Sequence, residues 1–180
     1  MSRKLKIAIV DDEPDMRESI SQWLVLSGFE TETYPSAEDA LKVIGADWPG
    51  IVVSDIRMPG MDGIAFLKRL MGLDSGLPVI LITGHGDVPM AVEAMRIGAY
   101  DFIEKPFATD RLVSSVQRAL ERRSLSLEVE TLRRKLSDRE GIEAMMLGQS
   151  AAMQEVRRVI LQVADTSADV LILGETGTGK

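Results

Sequence analysis

The sequence predicts an α/β fold: a doubly wound, five-stranded parallel sheet in the order 2-1-3-4-5. A long helix and the start of a second domain follow it. Three observations predict this. Short Val- and Ile-rich runs alternate with segments of helical apolar spacing. Five such strand–helix pairs fill about the first 120 residues, the size of one doubly wound domain. Past residue 120 the pattern changes to long, uninterrupted helical spacing.

The strand runs, in order, are Leu5–Val10, Phe29–Tyr34, Ile51–Ser54, Val79–Ile82 and Tyr100–Glu104. Phe29, Thr31 and Thr33 give the second an alternating character, whereas the others are nearly continuous and apolar, as in strands buried on both faces. The helices between them carry apolar residues at Met16, Ile20, Trp23 and Leu24, then at Ala37, Ala40, Leu41 and Ile44. Three more are marked by Ile64, Leu67, Leu70, by Val88, Val92, Met95, and by Leu112, Val116, Leu120. Asp12-Glu13-Pro14 supplies a cap and an early proline for the first helix. Ser36 and Asp39 have capping-box spacing for the second.

From Arg111 to Arg139 there is neither Pro nor Gly, and Leu125, Val129, Leu132 and Leu136 recur at i, i+4, i+7 and i+11. This predicts that the last helix of the first domain runs on as an amphipathic linker, either paired as a coiled coil or solvated alone. Arg122, Arg123, Arg133, Arg134, Lys135 and Arg139 make it locally basic. From Gly148 another unit begins. Met153, Val156, Ile160 and Val163 mark a helix, Ala168–Leu173 a strand, and Gly174-Glu175-Thr176-Gly177-Thr178-Gly179-Lys180 a glycine-rich loop. The expected domains are therefore 1–122, a helical linker over 123–145, and 146–180.

Composition narrows the chemistry. A formal net charge of -7 argues against a nucleic-acid or membrane-surface binder. The chain has no cysteine, which excludes disulfides, thiolate metal sites and cysteine nucleophiles, and a single histidine, His85, which excludes a multi-histidine metal site. Met1-Ser2-Arg3-Lys4 leads into a strand pattern without signal-peptide features, and no apolar run approaches the ~20 residues of a membrane span. A soluble cytoplasmic protein is expected.

In a doubly wound sheet the ligand crevice lies beyond the carboxyl ends of the strands. The polar residues there are Asp11 and Asp12 after the first strand, Asp55 after the third, Thr83 after the fourth and Lys105-Pro106 after the fifth. Each alone has an ordinary explanation as a cap, turn or surface residue. Gathered in one crevice, they describe chemistry. Clustered carboxylates need a cation, and a sparse oxygen site suits Mg²⁺, which leaves room for phosphate oxygens. Asp55 can then act as a nucleophile that forms an acyl phosphate. Lys105 offers a positive charge and Thr83 a hydrogen bond to the phosphoryl oxygens.

Residues 1 to about 122 resemble a bacterial response-regulator receiver domain, a CheY-like fold. The matching motifs are Val10-Asp11-Asp12-Glu13-Pro14, Ser54-Asp55-Ile56-Arg57-Met58-Pro59-Gly60-Met61-Asp62-Gly63, Thr83-Gly84-His85-Gly86 and Phe102-Ile103-Glu104-Lys105-Pro106-Phe107. The resemblance implies phosphotransfer from a sensor histidine kinase to Asp55. It implies Mg²⁺ held by Asp12, Asp55 and the Arg57 backbone carbonyl, with Asp11 reached through water, and a cis Lys105-Pro106 bond. It implies a switch in which Thr83 moves toward the phosphoryl group and Phe102 turns inward. Phe102 is equally an ordinary core aromatic, and both readings can hold. A homodimer through the face of the fourth helix, fifth strand and fifth helix, continued by the linker, is expected to respond.

Gly174 to Gly179-Lys180 fits a phosphate-binding loop up to its lysine, with the Ser or Thr that follows in the full pattern lying past the last residue. Residues 146–180 resemble the start of the AAA+ domain of sigma-54-dependent activators, and the whole order resembles the NtrC class. That implies a parent protein that binds ATP and Mg²⁺, acts on sigma-54 RNA polymerase, and binds DNA through a helix-turn-helix further on. Within these residues the expectation is a phosphoacceptor switch rather than a turnover enzyme. The alternative is a P-loop NTPase fragment whose first domain serves only as a scaffold or interaction module.

Overall fold

The computed structural model describes residues 4–46, 48–84, 88–146, 148, 150–164 and 169–171. The elements are β1 (Lys6–Val10), α1 (Pro14–Leu26), β2 (Glu30–Tyr34), α2 (Ala37–Leu41), β3 (Gly50–Asp55), α3 (Gly63–Leu73), β4 (Val79–Thr83), α4 (Val88–Ile97), β5 (Asp101–Glu104), α5 (Thr109–Met145) and α6 (Ala151–Val163). The five strands form one sheet in the order β2-β1-β3-β4-β5, as the alternation of patterns predicts. Every pairing is parallel: Val10 faces Tyr34 on one side and Ser54 on the other, Asp55 faces Ile82, and Thr83 faces Glu104.

The period of two in the strands sorts the core into two layers. Ala8, Val10, Val52, Val79 and Leu81 point toward α2, α3 and α4, where they meet Ala37, Phe66, Leu67, Leu70 and Ala94. Ile7, Ile9, Ile51, Val53, Ile80, Ile82 and Ile103 point the other way, onto Ile20 and Leu24 of α1 and Leu112, Val116 and Ala119 of α5. Every residue of β3 and β4 is buried, because helices cover both faces of the central strands. Burial of each such Leu, Ile or Phe contributes about 1.5–3 kcal/mol.

Two local expectations change. The α1 N-cap is Glu13, and its side chain makes no capping bond; the preceding Asp11 carboxylate instead accepts the Glu13 N–H. Burial of Asp11 at the strand end aims its short side chain back at that amide. The second helix is only five residues long, ending at Leu41, although Ile44 is still buried. A tight turn, Val43 N–H to Ala40 carbonyl, carries Ile44 onto the core after the helix stops. The Ser36 hydroxyl accepts the Asp39 N–H as expected of a cap.

The chain divides into two compact units, Met1–Glu128 and Val129–Lys180, with the division falling inside the continuous helix α5. In the second unit, Ser150 caps α6 by accepting the Met153 N–H. Arg157 donates to the carbonyls of Met146 and Gly148. Of the expected strand Ala168–Leu173, Asp169–Leu171 are not in a strand and the rest lies outside the described residues, as does the whole glycine-rich loop Gly174–Lys180. Among the described residues no helix is long and apolar enough to cross a membrane.

The caps give a test. Asp62 caps α3 by accepting the Ala65 N–H, so Asp62→Ala should cost about 0.5–2 kcal/mol in urea unfolding. Glu13→Ala, which removes no capping bond, should change stability by less than about 0.5 kcal/mol.

Candidate functional site

The crevice beyond the strand ends collects the expected residues. Asp11 follows β1 and is 2% exposed; Asp55 ends β3 at 6%; Thr83 ends β4 at 1%. Lys105 follows β5, and the Lys105–Pro106 peptide is cis. The loop after β3 is shaped by backbone contact. The Ile56 N–H donates to the Ile82 carbonyl and the Gly63 N–H to the Ile56 carbonyl, both at 2.9 Å. A Cβ on Gly63 would stand 2.4 Å from the Asp55 carbonyl oxygen and 2.7 Å from Ile56 Cα, so only glycine lets α3 start this close to the acidic strand end.

The charges pair across the sheet. Lys105 Nζ donates to Asp55 Oδ1 at 2.6 Å and lies 3.5 Å from Asp11 Oδ2. The Arg57 N–H donates to Asp55 Oδ2 at 2.6 Å, so both Asp55 oxygens are held. Asp11 Oδ1 accepts the Glu13 N–H at 2.8 Å, while Oδ2 is buried with no hydrogen-bond donor. The Lys105 backbone N–H donates to the Thr83 carbonyl at 2.6 Å, which ties the lysine loop to the end of β4.

Burial raises the Asp11 carboxyl above its ordinary value; the Glu13 N–H and Lys105 pull it down without cancelling that, and the Asp55 charge adds to the rise. For Lys105, burial pulls the ammonium down, but the Asp55 hydrogen bond and the Asp11 and Asp55 charges outweigh it and leave it raised. The lysine therefore stays charged between two carboxylates.

Sequence reasoning expected three carboxylates gathered as a metal cluster. Among the described residues no group of three or more His, Cys, Asp or Glu side chains is placed to hold an ion by itself. Asp12 is only partly buried, and Lys105 stands on Asp55 where a cation would be expected. The donor set nevertheless fits Mg²⁺. Asp11 Oδ2 is buried with no close hydrogen-bond donor, only the Lys105 ammonium at 3.5 Å, and stands near a second carboxylate; Mg²⁺ usually takes one or two carboxylates and keeps its waters.

Phe102, on β5, is half-buried and packs on the α2–α4 side of the sheet. His85 and its two following residues lie outside the described residues, as do Gly174, Glu175, Thr176, Gly177, Thr178, Gly179 and Lys180.

Three supporting contacts had no signal in the sequence. Arg17 Nη1 donates to the Asp11 carbonyl at 2.6 Å. Glu38 Oε1 accepts the Met61 N–H at 3.0 Å, holding the loop after β3 against α2. Phe107 meets Trp23 of α1 edge-on, with ring centroids 6.3 Å apart, behind the lysine loop. Each joins residues of different elements, with no spacing rule to find them.

Comparison with known proteins agrees with this geometry. The family model described as the response regulator receiver domain matches residues 7–117, and that of the sigma-54 interaction domain matches residues 146–180. The C4-dicarboxylate transport transcriptional regulatory protein DctD of Rhizobium meliloti (strain 1021) is 49% identical over 181 residues, covering 100% of this chain and 39% of that protein. DctD of Pseudomonas aeruginosa is 51% identical, covering 97% of this chain and 38% of that protein. The chain thus spans about two fifths of the length of these relatives. Among solved structures, NtrX from Brucella abortus is 42% identical with a TM-score of 0.64, covering 89% of this chain and 35% of that one. FixJ-N is 43% identical with a TM-score of 0.61, covering 66% and 95%.

The raised Asp11 carboxyl has a signed consequence. Its folded pKa lies above the unfolded one, so its ionisation opposes folding. The penalty is absent below the ordinary value of 3.8 and grows as pH rises through the folded pKa. In Mg²⁺-free buffer, Asp11→Asn should raise the urea midpoint at pH 7, and the gain should narrow as the pH falls toward 4. A variant less stable than the parent at pH 7 would contradict the assignment.

Proposed function

Because the chain belongs to the response-regulator receiver family, we propose that it takes a phosphoryl group on Asp55 from the phosphohistidine of a sensor histidine kinase. The observation that carries this is the Asp55 carboxylate itself, buried at a strand end, held by Lys105 on one oxygen and by the Arg57 N–H on the other. An Asp55 oxygen attacks phosphorus as the P–N bond of the phosphohistidine breaks, and the bond's electron pair returns to the imidazole nitrogen. The product is an acyl phosphate. Lys105 and Arg57 orient the carboxylate before attack, and the raised Lys105 remains protonated to follow the charge onto the phosphoryl oxygens. The Thr83 hydroxyl donates to one of those oxygens. Asp11, Asp12, Asp55 and the Arg57 backbone carbonyl would hold Mg²⁺, which when bound neutralises charge on the phosphoryl oxygens.

The output follows from the rest of the chain. Phosphorylation adds roughly -1.5 to -2 charges at Asp55. Thr83 and Phe102 relay that change to the α4–β5–α5 face, and α5 leads out of the domain as the linker. On α5, Leu125, Val129, Leu132 and Leu136 are 64%, 46%, 54% and 60% exposed, an apolar stripe that supports pairing with the same helix of a second copy. The domains are 1–122, the linker 123–145, and 146–180 as the first part of an AAA+ unit. Gly174 to Lys180 would cradle ATP phosphates in a longer parent, which would act on sigma-54 RNA polymerase and reach DNA through a further domain. The names of the DctD relatives suggest C4-dicarboxylate transport as the regulated process, in the cytoplasm.

Incubation with acetyl phosphate and Mg²⁺ should label the chain, and Asp55→Asn should abolish labelling in a phosphate-affinity gel. Labelling that persists in this variant would sink the assignment. Leu132→Asp should weaken self-association about tenfold or more, roughly 1.4 kcal/mol, in sedimentation.

A further inference from the structure

Arg123 is the largest fully buried side chain among the described residues and takes no part in the phosphoryl site. Its Nη2 donates to the Trp48 carbonyl at 2.8 Å and pairs with Asp74 Oδ2 at 2.6 Å. Trp48 stands two residues before β3, and Asp74 follows α3 on the way to β4. Both lie at the amino ends of the strands, the end opposite Asp55, a strand length of roughly 17 Å away. Arg123 Nε and Nη1 and the buried Trp48 Nε1 have no hydrogen-bond partner. A charge buried so incompletely satisfied is costly for stability alone, since an apolar residue of similar volume usually does as well.

Its place on α5 indicates what it does instead. Leu112, Val116 and Ala119 bury the same helix face, beside Ser115, whose Oγ donates to Asp101 Oδ2 at 2.6 Å; Arg123 is the last buried residue of α5 among those whose burial is described, and Ser124 and Leu125 are exposed. At 3.6 residues per turn, Leu112, Val116, Ala119 and Arg123 fall within about 60° of one another. Leu125, the first residue of the exposed stripe, falls about 160° away around the helix. The apolar face of α5 thus changes sides at Arg123. Up to that residue the helix packs on its own domain, and Leu125, two residues on, is exposed.

We propose that Arg123 is a positioning residue that couples the receiver to the linker. Clamped between Asp74 and the Trp48 carbonyl, it sets the rotation at which the Leu125–Leu136 stripe is presented, so that linker pairing reads the state of Asp55. This rests on the linker-dimer reading above. Without the clamp the first half of α5 stays tied to β5 by Ser115 and Arg111 on Asp101, but its end is free to turn beyond them, and the stripe then pairs independently of phosphorylation.

The test uses the whole 180-residue chain and the double variant Asp74→Asn with Arg123→Met, which removes both buried charges together. Acetyl phosphate labelling of Asp55 should stay within about twofold of the parent, because the clamp and the acceptor lie at opposite ends of the sheet. Self-association is measured by sedimentation with and without beryllofluoride and Mg²⁺, a mimic of phospho-Asp55. The parent should change and the variant should not; Arg123→Lys, which keeps the charge on Asp74 but lacks the planar fork, should restore part of the response. A folded double variant that responds as fully as the parent overturns the clamp and leaves the linker-dimer reading standing. A parent that does not respond overturns both.

Discussion

Two carboxylates buried within reach of one ammonium set the terms for this domain. Asp11 and Asp55 lose most of their water when the sheet forms, and an isolated buried charge costs far more than any single packing contact returns. Lys105 offsets that cost from a third strand end, 50 residues along the chain from Asp55. Its position depends in turn on the Thr83 carbonyl, on the loop through Pro106, and on Phe107 packed against Trp23. The geometry of the crevice is therefore inherited from the register of β1, β3, β4 and β5.

The compensation is incomplete, and that is where chemistry enters. Asp11 Oδ2 has no donor, and its carboxyl is pushed up by burial. An acidic site balanced by one lysine keeps acceptor capacity that a further cation would satisfy. The fold meets this with close backbone approach rather than with many side chains. Gly63 lets α3 begin against the Asp55 carbonyl, and the Arg57 N–H is delivered to the acceptor by the same loop. Glu38 holds the far side of that loop.

A second buried charge, at the other end of the sheet, is handled differently. Arg123 has one carboxylate and one carbonyl, neither near the phosphoryl site. Helix α5 is apolar toward its own sheet as far as Arg123, while Leu125, Val129, Leu132 and Leu136 are exposed. A single continuous helix can carry a change at one face into a new pairing at the other only if its rotation is held. Ser115 and Arg111 hold the first half of the helix on Asp101, and the buried guanidinium holds its end on Asp74 and the Trp48 carbonyl.

The sequence by itself determined whatever depends on local period. Alternation of strand and helix patterns settled the sheet and its order, because side-chain direction repeats every two or 3.6 residues. The rule for parallel sheets then placed Asp11, Asp55, Thr83 and Lys105 at one end, and the apolar stripe from Leu125 was legible from its spacing. Only the tertiary structure decided which groups meet. Lys105 chose Asp55 over Asp11 by 2.6 against 3.5 Å, Asp12 stayed partly exposed, and Asp11 rather than a helix cap took the Glu13 N–H. Arg123 read as one of the residues that make the linker locally basic and proved buried. Pairings between distant elements are set by register and burial, which no window of local sequence contains.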